Sequence, residues 1–339
     1  MQELHRSGLV AAGNFIVDHV KIVDEYPNQD QLALVQSQSQ FNGGGPYNLL
    51  RDLVALGAEF PLHAEGLLGN DSDGDWIIDD CKRHGIDTSG LRISADLGTS
   101  WTDVMSVQST GRRTFFHYPG ANNEFDLKIS DVLGFDSKIF YLGYLTMLEA
   151  LDAFDADGRT QASRILECAS DARITTVADL VSRKHPQFGE IIASSAPHLD
   201  YLILNEIEAS WLTGRGVDET STGLPEMQRA AQEILKLGVR RAVVLHSEFG
   251  AVCAGHDGLN YSQTAVCLPH SMVQSKLGAG DAFAAGFLMG LHGEHHLQES
   301  LEYAVSAAAA CITSPSASDG IRPLPECLDL AAKYGFYAP

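Results

Sequence analysis

The chain has 339 residues, 45% of them hydrophobic, and a formal net charge of −21, with 44 acidic against 23 basic residues. That length buries a full core and suits one large domain with a smaller appendage. The charge argues against nucleic acid and anionic membranes as partners, so an anionic substrate needs a local trap of backbone N–H groups or a metal ion.

The N-terminal Met-Gln-Glu-Leu-His-Arg-Ser-Gly shows no signal pattern, and the apolar runs are too short to span a bilayer. The expected location is therefore the cytoplasm, with no membrane partner. Leu9 to His19 is apolar and β-leaning, and predicts a first strand that leaves the core carrying the Asp18 carboxylate. Leu32 to Gln40 alternates polar and apolar residues, as in an exposed sheet with one wet face. Asn42-Gly43-Gly44-Gly45-Pro46-Tyr47-Asn48 then reads as a glycine turn feeding a helix. Leu49, Leu50, Leu53, Val54 and Leu56 recur at helical spacing, Asn48 falls in the first turn, and Gly57 closes it. Taken alone, these glycines suit close packing as well as ligand approach.

Leu62 to Gly69 predicts a strand and Asp75 to His84 a helix. Asp71, Asp73 and Asp75 invite a calcium reading, but Trp76 stands where such a loop needs glycine, so they predict a solvated turn. Thr99 to Gln108 and Arg113 to Tyr118 flank Gly111 and predict a hairpin that extends the small sheet. From Lys138 onward strands and helices alternate: strands at Ile139 to Leu142, Thr175 to Leu180, Tyr201 to Leu204 and Arg241 to Leu245, helices near Gly158 to Ala169, Phe188 to Ser194 and Pro225 to Leu237. Apolar strands alternating with helices imply a parallel sheet covered on both faces, which binds ligands beyond the carboxyl ends of its strands. The motifs at Asn205, Ser247 and Gly278 all follow predicted strands, directly or after a loop. His292, His295 and His296 have a metal-like spacing that Gly293 interrupts, and Ala307 to Ala310 reads as a helix packing face. Cys81, Cys168, Cys253, Cys267, Cys311 and Cys327 form no CxxC pair and fit reduced, mostly buried thiols.

The chemistry concentrates in Ser275 to Phe287. Gly278, Ala279 and Gly280 predict a tight turn opening a helix on which Phe283, Phe287, Leu288 and Leu291 recur. The first N–H groups of a helix lack internal partners and sit at the positive end of its dipole, and glycine lets a phosphate approach them. Asp281 beside such an anion is a poor ligand for it, but suits taking a proton from a hydroxyl that attacks the phosphate. Gly-Ala-Gly-Asp alone also fits a plain loop and helix cap.

Together these motifs resemble the ribokinase-like, or PfkB, carbohydrate kinases. Gly43-Gly44 followed by Asn48 is similar to that family's N-terminal signature and Gly278 to Phe283 to its C-terminal one. Asn205-Glu206-Ile207-Glu208 resembles its Asn-x-x-Glu motif, and Gly111 to Thr114 with Pro119 to Asn122 its lid hairpin. The resemblance implies an α/β fold, a three-layer α/β/α mostly parallel sheet with a small β-sheet lid. Residues 1–14, 43–97 and 122–339 would form the large domain, and 15–42 and 98–121 the lid. It implies an ATP- and Mg2+-dependent kinase acting on a primary hydroxyl of a small sugar or sugar derivative. Asp281 would be the base, and Gly278, Ala279 and Gly280 the anion hole. Asp18, Gly43, Gly44 and Asn48 would hold the sugar. Asn205, Glu208, Ser247, Gly250 and Lys276 would face the nucleotide, Glu208 acting on magnesium indirectly.

The sequence also departs from the family. Ser275-Lys276-Leu277 replaces the Asp-Thr-Thr or Asp-Thr-Asn that organises a monovalent cation in many members, so potassium dependence does not carry over. Ser247 stands for a glycine, and Glu248 adds negative charge near the nucleotide phosphates. Ile16, Gly45 and Tyr144-Leu145 replace polar contacts that ribokinase makes to ribose, which argues against that sugar. A nucleoside kinase, a non-catalytic sugar-binding regulator and a homodimer through the lid edges stay open.

Overall fold

A computed structural model describes residues 6–214, 223–256 and 258–338; the first five residues of the N-terminal reading lie outside it. The strands in chain order are β1 (Gly8–Gly13), β2 (Ile16–Val23), β3 (Val35–Gly43), β4 (Leu62–Leu68), β5 (Asp87–Ile93), β6 (Trp101–Val107), β7 (Arg113–Tyr118), β8 (Ser137–Gly143), β9 (Thr175–Asp179), β10 (Tyr201–Asn205), β11 (Ala242–Ser247), β12 (Gly250–Gly255) and β13 (Asn260–Thr264). The helices are α1 (Gly45–Leu56), α2 (Ser72–Arg83), α3 (Ile129–Gly134), α4 (Glu149–Asp152), α5 (Gln161–Asp171), α6 (Phe188–Ser195), α7 (Glu206–Thr213), α8 (Leu224–Leu235), α9 (Ala279–His292), α10 (Leu297–Cys311) and α11 (Leu324–Tyr334).

Nine strands form one sheet in the order β13-β12-β11-β10-β9-β8-β1-β4-β5, parallel from β11 to β5 and antiparallel only at the β12-β13 edge. Successive residues of a strand point to opposite faces, and both faces here are apolar. Leu9, Ala11, Tyr141, Ile203 and Val244 pack against α1, α9 and α10. Val10, Ala12, Phe140, Leu142, Leu202 and Val243 pack against α5, α6 and α8. The result is three layers, α/β/α. Four cysteines are buried, Cys168 is half-buried and Cys267 is exposed.

Leu9 to His19 is not one strand. Hydrophobicity continues through the whole run, but the chain leaves the large sheet at Gly13 and enters a second, four-stranded sheet at Ile16. Asn14 pins the crossing: its N–H donates to Gly143 O, its Nδ2 to Met147 O, and its Oδ1 accepts from Tyr144 N. The small sheet has the order β3-β2-β6-β7 and forms a lid. Asp18 registers with Thr102, and Thr102 with His117, so these three share the inner face. On the outer face His19 and Gln40 both bond the Asp73 carboxylate at the start of α2. Asp71 caps α2 at Gly74 N and accepts from Thr99 N. Asp71 and Asp73 thus brace the lid, and only Asp75 is solvated as expected.

The three histidines diverge. His292 stacks on Phe60, His295 pairs with Glu299, and His296 caps α10. Among the described residues no cluster of three or more His, Cys, Asp or Glu could hold a metal, and no helix is long and apolar enough to cross a membrane.

Candidate active site

Helix α9 starts where the Gly278 turn meets the loop before α11. Gly278 has φ of 76°, and a Cβ there would lie 2.5 Å from Ala317 O, so only glycine fits. The helix N-terminus that follows carries Asp281 in its first turn, 7% exposed. Tyr144 Oη donates to Asp281 Oδ1 at 2.7 Å, and Asn48 Nδ2 donates to Oδ2 at 2.8 Å. Burial pushes this carboxyl up to about 6, against the pull of those two hydrogen bonds. A base poised there is ionised at neutral pH yet still basic enough to accept a proton.

The second glycine turn supplies Asn48. Gly44, with φ of 85°, caps α1, and a Cβ there would lie 2.3 Å from Asn14 O. Asn48 Oδ1 accepts from Asn42 Nδ2 at 2.7 Å, and the same nitrogen donates to Ser318 Oγ at 2.9 Å. This fixes which face of the Asn48 amide meets Asp281. Gly45 has a different use: a Cβ there would lie 2.8 Å from the Tyr144 ring and from Tyr141 Oη, so glycine makes room for Tyr144 to reach the carboxylate.

Asp18 comes down from the lid to the same place. Its carboxyl lies against the Gly43 backbone, where a Cβ would be 2.6 Å from Oδ1. Burial, with the Asp281 charge adding, pushes it up to about 7, while Thr102 and Arg113 act the other way. Asp179 and Asp52 are also buried, and burial together with the Asp281 charge holds both well above the usual carboxylate range. Each of these three feels the Asp281 charge, so the four carboxyls do not all ionise together. Sequence reasoning missed Asp179 and Asp52, which sit in or beside apolar runs, and read Tyr144 only as a lost polar contact, where its hydroxyl in fact bonds Asp281.

Asp281, Gly278, Gly280, Asp179, Asn205 and Glu208 share the wall of one cleft of 1110 Å³, roofed by Phe115 and His117 of β7. The cleft lies beyond the carboxyl ends of the parallel strands. Asn205 caps α7: its Oδ1 accepts from the N–H groups of Ile207 and Glu208. Glu208, 1% exposed, accepts in turn from Asn205 N, Asn205 Nδ2 and Ser182 Oγ, each at 2.9 Å. Burial still pushes its carboxyl up to about 7. Glu208 oxygens already taken by three donors fit a magnesium ion held through water rather than by direct coordination. Magnesium keeps most of its waters and phosphates as ligands in nucleotide sites, so a protein cage is not required.

Ser247, Gly250 and Lys276 lie outside the cleft lining. Ser247 accepts from Phe249 N at the β11-β12 turn, Gly250 opens β12, and exposed Lys276 pairs with Glu248 at 2.7 Å.

A mostly parallel core sheet, a glycine turn opening a helix over a buried carboxylate, and a β lid above the cleft define a small-molecule kinase. The chain belongs to the pfkB family of carbohydrate kinases, whose model matches residues 6–323. It is 22% identical over 307 residues to a 5-dehydro-2-deoxygluconokinase of Clostridium botulinum, covering 88% of this chain and 86% of that protein. It is 23% identical over 325 residues to ribokinase of Arabidopsis thaliana, covering 91% and 77%. The structure of Arabidopsis ribokinase complexed with ribose and ATP matches with a TM-score of 0.79 at 22% identity, over 96% of this chain and 98% of that one. A Methanocaldococcus jannaschii nucleoside kinase matches with a TM-score of 0.73 at 16% identity, over 96% and 98%.

Proposed function

We propose that this carbohydrate kinase transfers the γ-phosphoryl group of ATP to a primary hydroxyl of a small sugar or sugar acid, with Asp281 as the base. The observation that supports it is the Asp281 carboxylate, buried, doubly hydrogen-bonded and held beside the N-terminus of α9 at the cleft wall. Asp281 takes the hydroxyl proton as the acceptor oxygen bonds to phosphorus. The bond from phosphorus to the bridging oxygen breaks, and ADP leaves. The N–H groups of Gly278 to Gly280 hold the moving phosphoryl oxygens, whose charge is spread and rewards fixed donors. Magnesium, when bound with the nucleotide, supplies further neutralisation of the phosphates; Asn205 and Glu208 are the residues that would orient it. Asp18, Gly43, Gly44 and Asn48 hold the acceptor hydroxyls, and the lid excludes water that would compete as acceptor.

An acid group on the acceptor is favoured by Arg183, which lines the cleft and donates to Thr146 O, and by Arg113 on the inner lid face near Asp18. Several of the similar proteins are named as 5-dehydro-2-deoxygluconokinases, which agrees with this. The test is ADP release with MgATP over a panel of sugars, sugar acids, sugar phosphates and nucleosides, with and without potassium, for the wild type and Asp281→Asn. Turnover that depends on a sugar or sugar acid and collapses in the variant is expected, with no response to potassium. Turnover with nucleosides alone would reassign the acceptor. Tight sugar binding without turnover would make the chain a regulator.

A further inference from the structure

We infer that His246 contacts the transferred phosphate, closing the anion hole from the sheet side with a ring N–H that the glycine turn does not supply. The inference rests on the kinase reading above and deepens it. His246 ends the buried run Ala242 to Leu245 of β11 and turns its ring into the cleft. The ring packs on Phe283 of α9, with centroids 4.8 Å apart and planes tilted by 32°. This contact fixes which edge faces the helix. A Cβ at Gly280 would lie 3.4 Å from His246 Cε1 and 3.7 Å from Nε2, so that edge looks at the backbone of the anion hole. Among the described residues no protein hydrogen bond engages either nitrogen of this half-buried ring. An imidazole left unpaired at the mouth of a phosphate site has a donor ready for an anion.

The charge state suits that role. Burial pushes the His246 pKa down to about 4, so the ring is neutral in the free protein and forms no competing ion pair with Asp281. The other charged or titratable groups facing the same cleft are Asp281 on α9, Glu208 on α7, Asp179 on β9, Arg183 and His185 after β9, Glu149 and Asp152 on α4, and His117 on β7. Glu248 and Lys276 neutralise each other at the surface. A phosphate beside Nε2 favours the charged ring, so binding nucleotide at mildly acid pH draws in a proton.

Two variants test this in the full chain. His246→Leu keeps the packing on Phe283 and removes the donor; His246→Gln keeps an N–H that cannot titrate. Thermal melts establish that each is folded. Calorimetry of binding of a non-hydrolysable MgATP analogue at pH 6 in two buffers of different ionisation enthalpy counts protons taken up, and steady-state kinetics give kcat and KM for MgATP. The wild type should take up more protons than either variant, the uptake left in the variants belonging to Asp281 and Glu208. His246→Leu should lose about 10- to 100-fold in kcat/KM for MgATP, the size of a hydrogen bond to a charged group, with much of it regained in His246→Gln. Equal proton uptake in wild type and both variants, or a Leu variant with wild-type kcat/KM, would overturn the assignment. His246-dependent proton uptake in a chain that turns over no acceptor would keep His246 as a phosphate contact and sink the kinase reading alone.

Discussion

Replacing Asp281 with asparagine should remove activity and at the same time change how stability depends on pH. The Asp281 carboxyl titrates at about 6 in the folded chain, against an ordinary 3.8. Between those values the folded state still holds the proton and the unfolded state has lost it, so stability falls as pH rises from about 4 to about 6. A displacement of about two units, at about 1.4 kcal/mol each, makes the loss about 3 kcal/mol at pH 7. Asparagine cannot titrate. Its Oδ1 keeps the Asn48 donor and its Nδ2 turns to Tyr144 Oη as acceptor, so a charged acceptor is exchanged for a neutral amide in both bonds. That exchange costs about 1 to 3 kcal/mol and does not vary with pH. The quantity to measure is therefore the difference in unfolding free energy, variant minus wild type, by urea denaturation at pH 4, 5, 6 and 7. It should shift by about 3 kcal/mol in favour of asparagine across that range. Asp18, Asp52 and Asp179 are common to both proteins, and losing the Asp281 charge moves each of them in the same direction. A difference that stays flat from pH 4 to 7 would refute the placement of Asp281 as a buried, raised carboxyl. Turnover should fall roughly 100- to 10,000-fold with loss of the base.

Tyr144→Phe removes one of the two donors to the carboxylate. Such a bond is worth about 1.5 to 3 kcal/mol, so the midpoint at which kcat/KM rises with pH should move up by about 1 to 2 units, and an unmoved pH profile would rule the contact out. Gly278→Ala forces a side chain into a left-handed turn against Ala317 O, and should cost about 2 kcal/mol or more in urea unfolding while abolishing turnover. Glu208→Gln should raise the magnesium concentration needed for half-maximal turnover about tenfold, with kcat largely restored at saturation. A magnesium titration identical to the wild type would separate Glu208 from the metal.

Several parts of the architecture were readable because each rests on local chemistry. The glycine turn at Gly278 needs a left-handed residue and a helix start, and both are written in adjacent letters. Alternating apolar strands and helices after Lys138 allow little other than a covered parallel sheet. The junction at Asn14 was not readable, because an apolar run looks the same whether it continues in one sheet or crosses to another. Tyr144 was hidden for a related reason. It follows an apolar strand, and its reach to Asp281 depends on the empty space at Gly45, almost a hundred residues earlier.

His246 and Asp179 show the same limit. Each ends an apolar strand, and nothing in its neighbours along the chain marks it out. By itself the sequence determined the alternating strands and helices after Lys138, the two glycine turns and the carboxylate that follows one of them, because turn geometry and helix capping act over a few residues. Only the tertiary structure decided that Asp281 is held by Asn48 and Tyr144, that its charge reaches Asp18, Asp52 and Asp179, and that Glu208 is locked by three donors. The physical reason is that burial and electrostatic coupling depend on distance through space, and the residues that set them lie far apart along the chain.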